Sequence, residues 1–295
     1  MDALSVAVER GGLVESRHRV HAVTVVDGEF AEVRGDPGLV TFMRSAAKPL
    51  QALLLVRSYE DLSDEEVAIA CASHGARPEQ LEAVASLLAR AGARGEEDLE
   101  CGPVEGSRVR HNCSGKHTGM LCVCAARGWP FRDYRLPGHP LQQELHALVA
   151  AAAGRAAAHV PIAVDGCGVS TFAVSLRDMA EMFSRLVRGE LAGADRIVAA
   201  MTAHPDLVEG PDKAATETMK AHPGAVAKGG AEGLLCAGLP DGRGFALKVE
   251  DGAGRAVGSA AGSLLGVSAL AEIPVKNSRD ELVGSVRPEA SGPLR

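Results

Sequence analysis

No run of Lys or Arg forms a basic stripe along this 295-residue chain, no stretch of 18 apolar residues is present, and no Cys-x-x-Cys pair occurs. Each absence excludes something. With 31 basic against 38 acidic residues and a net charge of −7, the composition argues against a protein that tracks nucleic-acid phosphates. Without a long apolar run, no membrane-spanning segment is expected. The opening Met1-Asp2-Ala3 begins with an acid rather than a basic leader, so no secretory signal is expected and the cytoplasm is the expected location. Seven cysteines, an odd count, fit reduced thiols better than a disulfide framework. Repeats, low-complexity linkers and breaks in composition are lacking too, so one domain over residues 1–295 is expected, with 154–158 as its one hinge candidate.

What is present is enough for a core. The chain is 46% apolar and 23% charged, and folding at this size buries roughly 75% of the extended-chain surface. His21 to Val26, the turn signal Asp27-Gly28 and Phe30 to Arg34 read as a hairpin. Near the end, Gly244 to Glu250 is an apolar run closed by Asp251-Gly252-Ala253-Gly254, a second hairpin signal. Between these the periodicity is helical, most clearly at Pro78 to Ala91, where Leu81, Val84, Leu87 and Leu88 share a face. Pro140 to Ala153, Leu176 to Arg188, Glu190 to Ala203 and Val257 to Leu270 are further helix candidates. Strands at both ends with helices between predict an α+β fold, an antiparallel sheet flanked by helices.

Four segments carry candidate chemistry. In Ser45-Ala46-Ala47-Lys48-Pro49, Pro49 sets a helix start, which places Ser45 and Lys48 on one face. A serine hydroxyl becomes a nucleophile when a base takes its proton, and a neutral lysine is such a base. The plain alternative is a capping serine beside a surface lysine. Ser73-His74-Gly75 follows the apolar Val67 to Ala72 and is either a catalytic hydroxyl or a turn, while His74 alone reads as hydrogen-bonded structure. Cys113 and Cys167 sit among glycines and polar residues, unlike Cys71, Cys122, Cys124 and Cys236, which read as small core hydrophobes. With Lys116 they form a set of donors for a thiophilic cation, with His111 and His117 in reserve. Asp165-Gly166-Cys167-Gly168 is a glycine-flanked turn whose carboxylate either meets a substrate ammonium or closes the turn itself.

Taken in order, Arg10 to Ser16, Arg44 to Gln51, Ala72-Ser73-His74, His111 to His117, Asp165 to Val169, His204 to Val208 and Lys228 to Gly233 resemble the type II asparaginases of the Rhizobium class, over nearly the whole chain. The resemblance implies a fold similar to serine β-lactamases and glutaminases, and hydrolysis of L-asparagine to L-aspartate and ammonia. It implies two Ser-Lys pairs, Ser45 with Lys48 and Ser73 with Lys228, Lys248 being the other candidate for the second amine. It further implies Zn²⁺ held by Cys113, Lys116 and Cys167, substrate contacts from Asp165, His74 and Arg44, and a homodimer. Two departures stand out. Relatives continue Ser-His with Gly-Glu-Pro where this chain has Gly75-Ala76-Arg77-Pro78, and Pro211-Asp212-Lys213 replaces a further Gly and Arg. Two other readings stay open: a β-lactamase or penicillin-binding-like serine acyl hydrolase, and a non-catalytic amino-acid-binding relative.

Overall fold

Strands rich in Val and Ala that pair across the whole length of the chain build the first of two compact units, Met1–Thr41, Ser175–Ser184 and Asp212 onward. The structure is a computed structural model and describes residues 1–289; the last residues of the expected 1–295 domain lie outside it. In spatial order the sheet runs Ile273–Lys276, Leu282–Pro288, Leu4–Arg10, Leu13–Val26, Gly244–Val249, Leu234–Gly238 and Val226–Gly230, with Glu29–Arg34 also paired to Leu13–Val26. Every pair is antiparallel. The expected hairpin forms at Asp27-Gly28, where both residues have positive φ (50° and 78°). That two-residue turn matches the twist of the strands, and glycine takes its second position without steric cost.

One expectation fails in this unit. Asp251–Gly254 closes no hairpin but leads directly into the Arg255–Leu265 helix. Asp251 Oδ1 accepts from the Ala253 N–H at 3.0 Å, and its other oxygen meets His18 Nδ1 at 2.7 Å, so the carboxylate turns the chain locally. The first turns of the Leu176–Val187 helix lie on the sheet, with Leu176, Met179, Ala180 and Phe183 fully buried. Gly244 permits this approach: a Cβ there would meet the Ala180 carbonyl oxygen at 1.8 Å.

The second unit, Phe42–Val174 and Arg185–Pro211, is mostly helical. Its helices include Asp64–Ala70, Pro78–Ala91, Ser114–Arg127, Pro140–Ala152 and Ala194–Ala203. Pro78–Ala91 falls where its periodicity placed it. The segment expected from Glu190 becomes helical only at Ala194, because Gly193 adopts a left-handed conformation (φ 82°); back in the first unit, Val257–Leu270 shortens to a helix ending at Leu265 followed by a separate turn at Ser268–Leu270. Ser114–Arg127 has no amphipathic signature because it is buried on all sides from Ser114 to Cys124, and a helix covered all round shows no polar face. It sits close to its neighbours. A Cβ at Gly119 would lie only 3.3 Å from both the Ala70 and the Leu55 side chains. The stretch 154–158 lies inside the second unit.

Candidate active site

The chain enters the site through a strained residue. Arg44 has φ 51°, a left-handed conformation that a non-glycine residue adopts at a cost of order 1 kcal/mol or more. Two contacts hold it there: its N–H donates to Thr171 Oγ1 at 3.1 Å and its Nε to Asp165 Oδ1 at 2.6 Å. The next residue is Ser45. Arg44–Ala47 form a 3₁₀ turn that passes into Lys48–Gln51, with Pro49 in the first turn as the proline predicts. Ser45 is half-buried.

Lys48 is 1% exposed, so its amine must find partners inside the protein. Nζ donates to the Ala72 carbonyl at 2.5 Å and to Ser73 Oγ at 3.0 Å. Two residues 25 apart in sequence are therefore joined at proton-transfer distance. The amine that the resemblance assigns to Ser45 thus also reaches the second serine.

Ser73 begins a short loop between the Asp64–Ala70 and Pro78–Ala91 helices. Its N–H donates to Val208 O at 2.7 Å, and the His74 N–H to Asn112 O at 3.1 Å. The His74 ring has both nitrogens engaged. The Ala76 N–H donates to Nδ1 at 3.2 Å, so Nε2 carries the proton and donates to Ser114 Oγ at 2.8 Å, while Ser114 donates onward to Val109 O. Burial first, then the positive charge of Lys48, push the His74 pKa down to about 4. The ring is neutral at physiological pH and serves to orient Ser114 and the loop.

Ser114 opens the helix that carries Lys116 and follows directly on Cys113. Cys113, Lys116 and Cys167 are all buried, with Lys116 Nζ 3.0 Å from Cys167 Sγ. A hydrogen bond from the Cys167 thiol, then the charges of Lys48 and Lys116, hold Cys113 far below the usual thiol range despite its burial. That same bond pushes Cys167 up, so it keeps its proton. Burial opposes the charge on Lys116, but the two sulfurs and Asp165 outweigh it and raise its pKa. Two sulfurs and an amine gathered in a buried site fit a thiophilic divalent cation, whose binding would expel the remaining protons. Among the described residues no group of three or more His, Cys, Asp or Glu is arranged for a metal; the third donor here is a lysine. The two histidines held in reserve each have Nδ1 engaged, while His117 Nε2 is buried without a hydrogen-bond partner among the described residues. His111 Nδ1 accepts the Cys113 N–H at 3.0 Å, and His117 Nδ1 takes the Tyr134 hydroxyl at 2.5 Å.

Asp165 completes the second unit's cluster. Its turn is closed by Gly168 N–H to Asp165 O at 2.8 Å, and Oδ1 accepts from both the Gly166 N–H and Arg44. The carboxylate therefore closes the turn, as one of the two readings expects, and also anchors the arginine before Ser45. The bonds thus join Arg44 to Asp165, Lys48 to Ser73, His74 to Ser114 and Lys116 to Cys167, and the charges of Lys48 and Lys116 both act on Cys113. Lys228 belongs to the first unit, on Val226–Gly230, where it is fully buried and donates to Gly229 O at 2.9 Å. Lys248, on Gly244–Val249, donates to Val249 O, and burial lowers its pKa. Thr171, Ser114 and Gln80 had no signal in the sequence, because each acts by bonding backbone or a neighbour that only folding brings near.

Among solved structures the chain is similar to two crystal forms described as Mglu in its native form, one in the presence of 4.3 M NaCl, each at 16% identity and covering 79% of this chain, with TM-scores of 0.35 and 0.33. It spans 56% and 59% of the length of those proteins. No curated protein matches it. The sequence profile of the L-asparaginase II family matches residues 6–288, nearly the whole length, and the chain belongs to that family.

Proposed function

We propose that the protein hydrolyses the side-chain amide of L-asparagine to L-aspartate and ammonia, with Ser73 and Lys48 at the reacting centre. The observation that carries this reading is the buried amine of Lys48 set 3.0 Å from Ser73 Oγ. In its neutral form that amine takes the hydroxyl proton as Oγ attacks the amide carbon. The lysine, now an ammonium, returns the proton to the departing nitrogen, and ammonia leaves. Water then cleaves the acyl-enzyme with the same amine as base. Ser45, on the turn that presents Lys48, is the second candidate hydroxyl, and Lys228 is carried over as the second amine on the family resemblance alone. Arg44 is proposed to hold the substrate carboxylate, with Asp165 fixing the guanidinium and meeting the substrate ammonium. We further propose that Cys113, Lys116 and Cys167 hold zinc, which when bound supplies positive charge that polarises a nearby carbonyl. A homodimer and a cytoplasmic location remain expectations. No helix among the described residues is long and apolar enough to cross a membrane.

Ammonia release from asparagine and glutamine, beside ring opening of a chromogenic β-lactam followed by its colour change, tests the reading together with Ser45→Ala and Ser73→Ala. Turnover of asparagine that Ser73→Ala abolishes is the expected result. Wild-type turnover by a folded Ser73→Ala protein overturns the role of Ser73, and hydrolysis of the β-lactam without ammonia from asparagine overturns the substrate.

A further inference from the structure

Ser73 meets Lys48 only while its loop is held in place, and a fully buried amide outside the reacting centre joins the two segments that hold it. Gln80 lies in the first turn of the Pro78–Ala91 helix and has no exposed surface. Its Oε1 accepts from the N–H groups of Gly75 and Arg77 at 3.0 and 3.1 Å, within the loop that Ser73 begins. Its Nε2 donates to the carbonyls of Asp206 and Leu207 at 3.3 and 3.2 Å. The very next carbonyl, Val208 O, receives the Ser73 N–H at 2.7 Å. Arg77 strengthens the same seam, donating Nη2 to Asp206 O at 2.6 Å. A primary amide suits this place because it accepts at one end and donates at the other without charge.

We infer that Gln80 is a positioning residue for Ser73, setting the distance between its hydroxyl and the Lys48 amine by locking the 73–77 loop to the 206–208 backbone. The inference rests on the reading of Ser73 as a reacting group. A purely structural role is the alternative, since an acceptor in a helix's first turn that binds the backbone N–H before it is an ordinary cap. The two roles separate chemically. Gln80→Glu keeps the accepting half, and glutamate is a customary cap residue at that point, but the ionised carboxylate has lost the donating half and faces two carbonyls. When protonated, it donates again.

The test compares wild type, Gln80→Glu, Gln80→Met and Ser73→Ala for ammonia release from asparagine between pH 5 and 8.5, with folding checked by circular dichroism. We expect kcat of Gln80→Glu at pH 8 to fall about 10- to 100-fold, the scale for a misplaced reacting group, with KM within about threefold. Its ratio to wild type should climb as pH falls and the carboxyl takes up a proton. Gln80→Met, uncharged and of similar volume, should be impaired at every pH and supplies the comparison if the glutamate variant does not fold. Wild-type kcat in a folded Gln80→Glu or Gln80→Met protein overturns the inference, as does a loss that appears in KM alone. An active Ser73→Ala protein instead overturns the reading of Ser73, whatever Gln80 does.

Discussion

Lys48 is the residue on which the proposed chemistry turns. Replacing it by methionine removes the donor from Ala72 O and Ser73 Oγ while keeping the buried volume. Loss of a general base typically costs 10²- to 10⁴-fold, so kcat for ammonia release from asparagine should drop by about that range with KM little changed. Leaving the two oxygens unpaired should cost about 1–3 kcal/mol in a denaturant titration. His74 sets a pH dependence. Its pKa in the folded protein is about 4 against 6.5 for the free side chain, so between these values the unfolded chain takes up a proton that the native ring refuses. Unfolding is therefore favoured as pH falls. The stabilisation is complete above about pH 6.5, and about 3 kcal/mol of it is lost by pH 4 at 1.36 kcal/mol per unit. Equilibrium unfolding of wild type and His74→Gln across this window should show a shallower slope in the variant.

At the scale of the element, the Ser114–Arg127 helix decides whether the cluster exists at all, because it delivers Ser114 and Lys116 and begins at Cys113. Propensity alone says that Gly115→Ala should stabilise it by about 1 kcal/mol. Packing says otherwise. A Cβ at Gly115 would lie 2.1 Å from the Ile69 carbonyl oxygen, a backbone atom of the helix that precedes Ser73. Overpacking of this kind costs about 1–3 kcal/mol and outweighs the propensity gain. Gly115→Ala should lower the melting temperature by several degrees, and a rise would show that the two helices separate freely. This helix was hidden in the sequence: its polar residues Lys116, His117 and Thr118 break any apolar period, and only the contacts that bury them explain their place. Pro78–Ala91 was plain because one of its faces remains in water and keeps its period.

For the molecule as a whole, the thiols offer a direct check. All seven cysteines are buried and none of them forms a disulfide, so a thiol reagent should label essentially none rapidly in the native protein and all seven in guanidinium, with the melting temperature unaffected by reductant. Rapid labelling of several sites would contradict the burial. Zinc binding is tested at the same scale: wild type should take up one equivalent in calorimetric titration, with Cys113→Ser and Cys167→Ser each weakening it at least tenfold. Equal affinity in both variants would remove the ion from this site.

The order of motifs along the chain was sufficient to place the protein in its family, and alternation, helical period and turn residues were sufficient for the α+β class, the Asp27-Gly28 hairpin and the exposed helices. Those are local properties, written in the spacing of side chains against water. The contact between Lys48 and Ser73, the engagement of both His74 nitrogens and the seam made by Gln80 were decided only in three dimensions. Each depends on a hydrogen bond between groups 25 to 127 residues apart, and burial makes such bonds obligatory without leaving any periodic trace in the sequence.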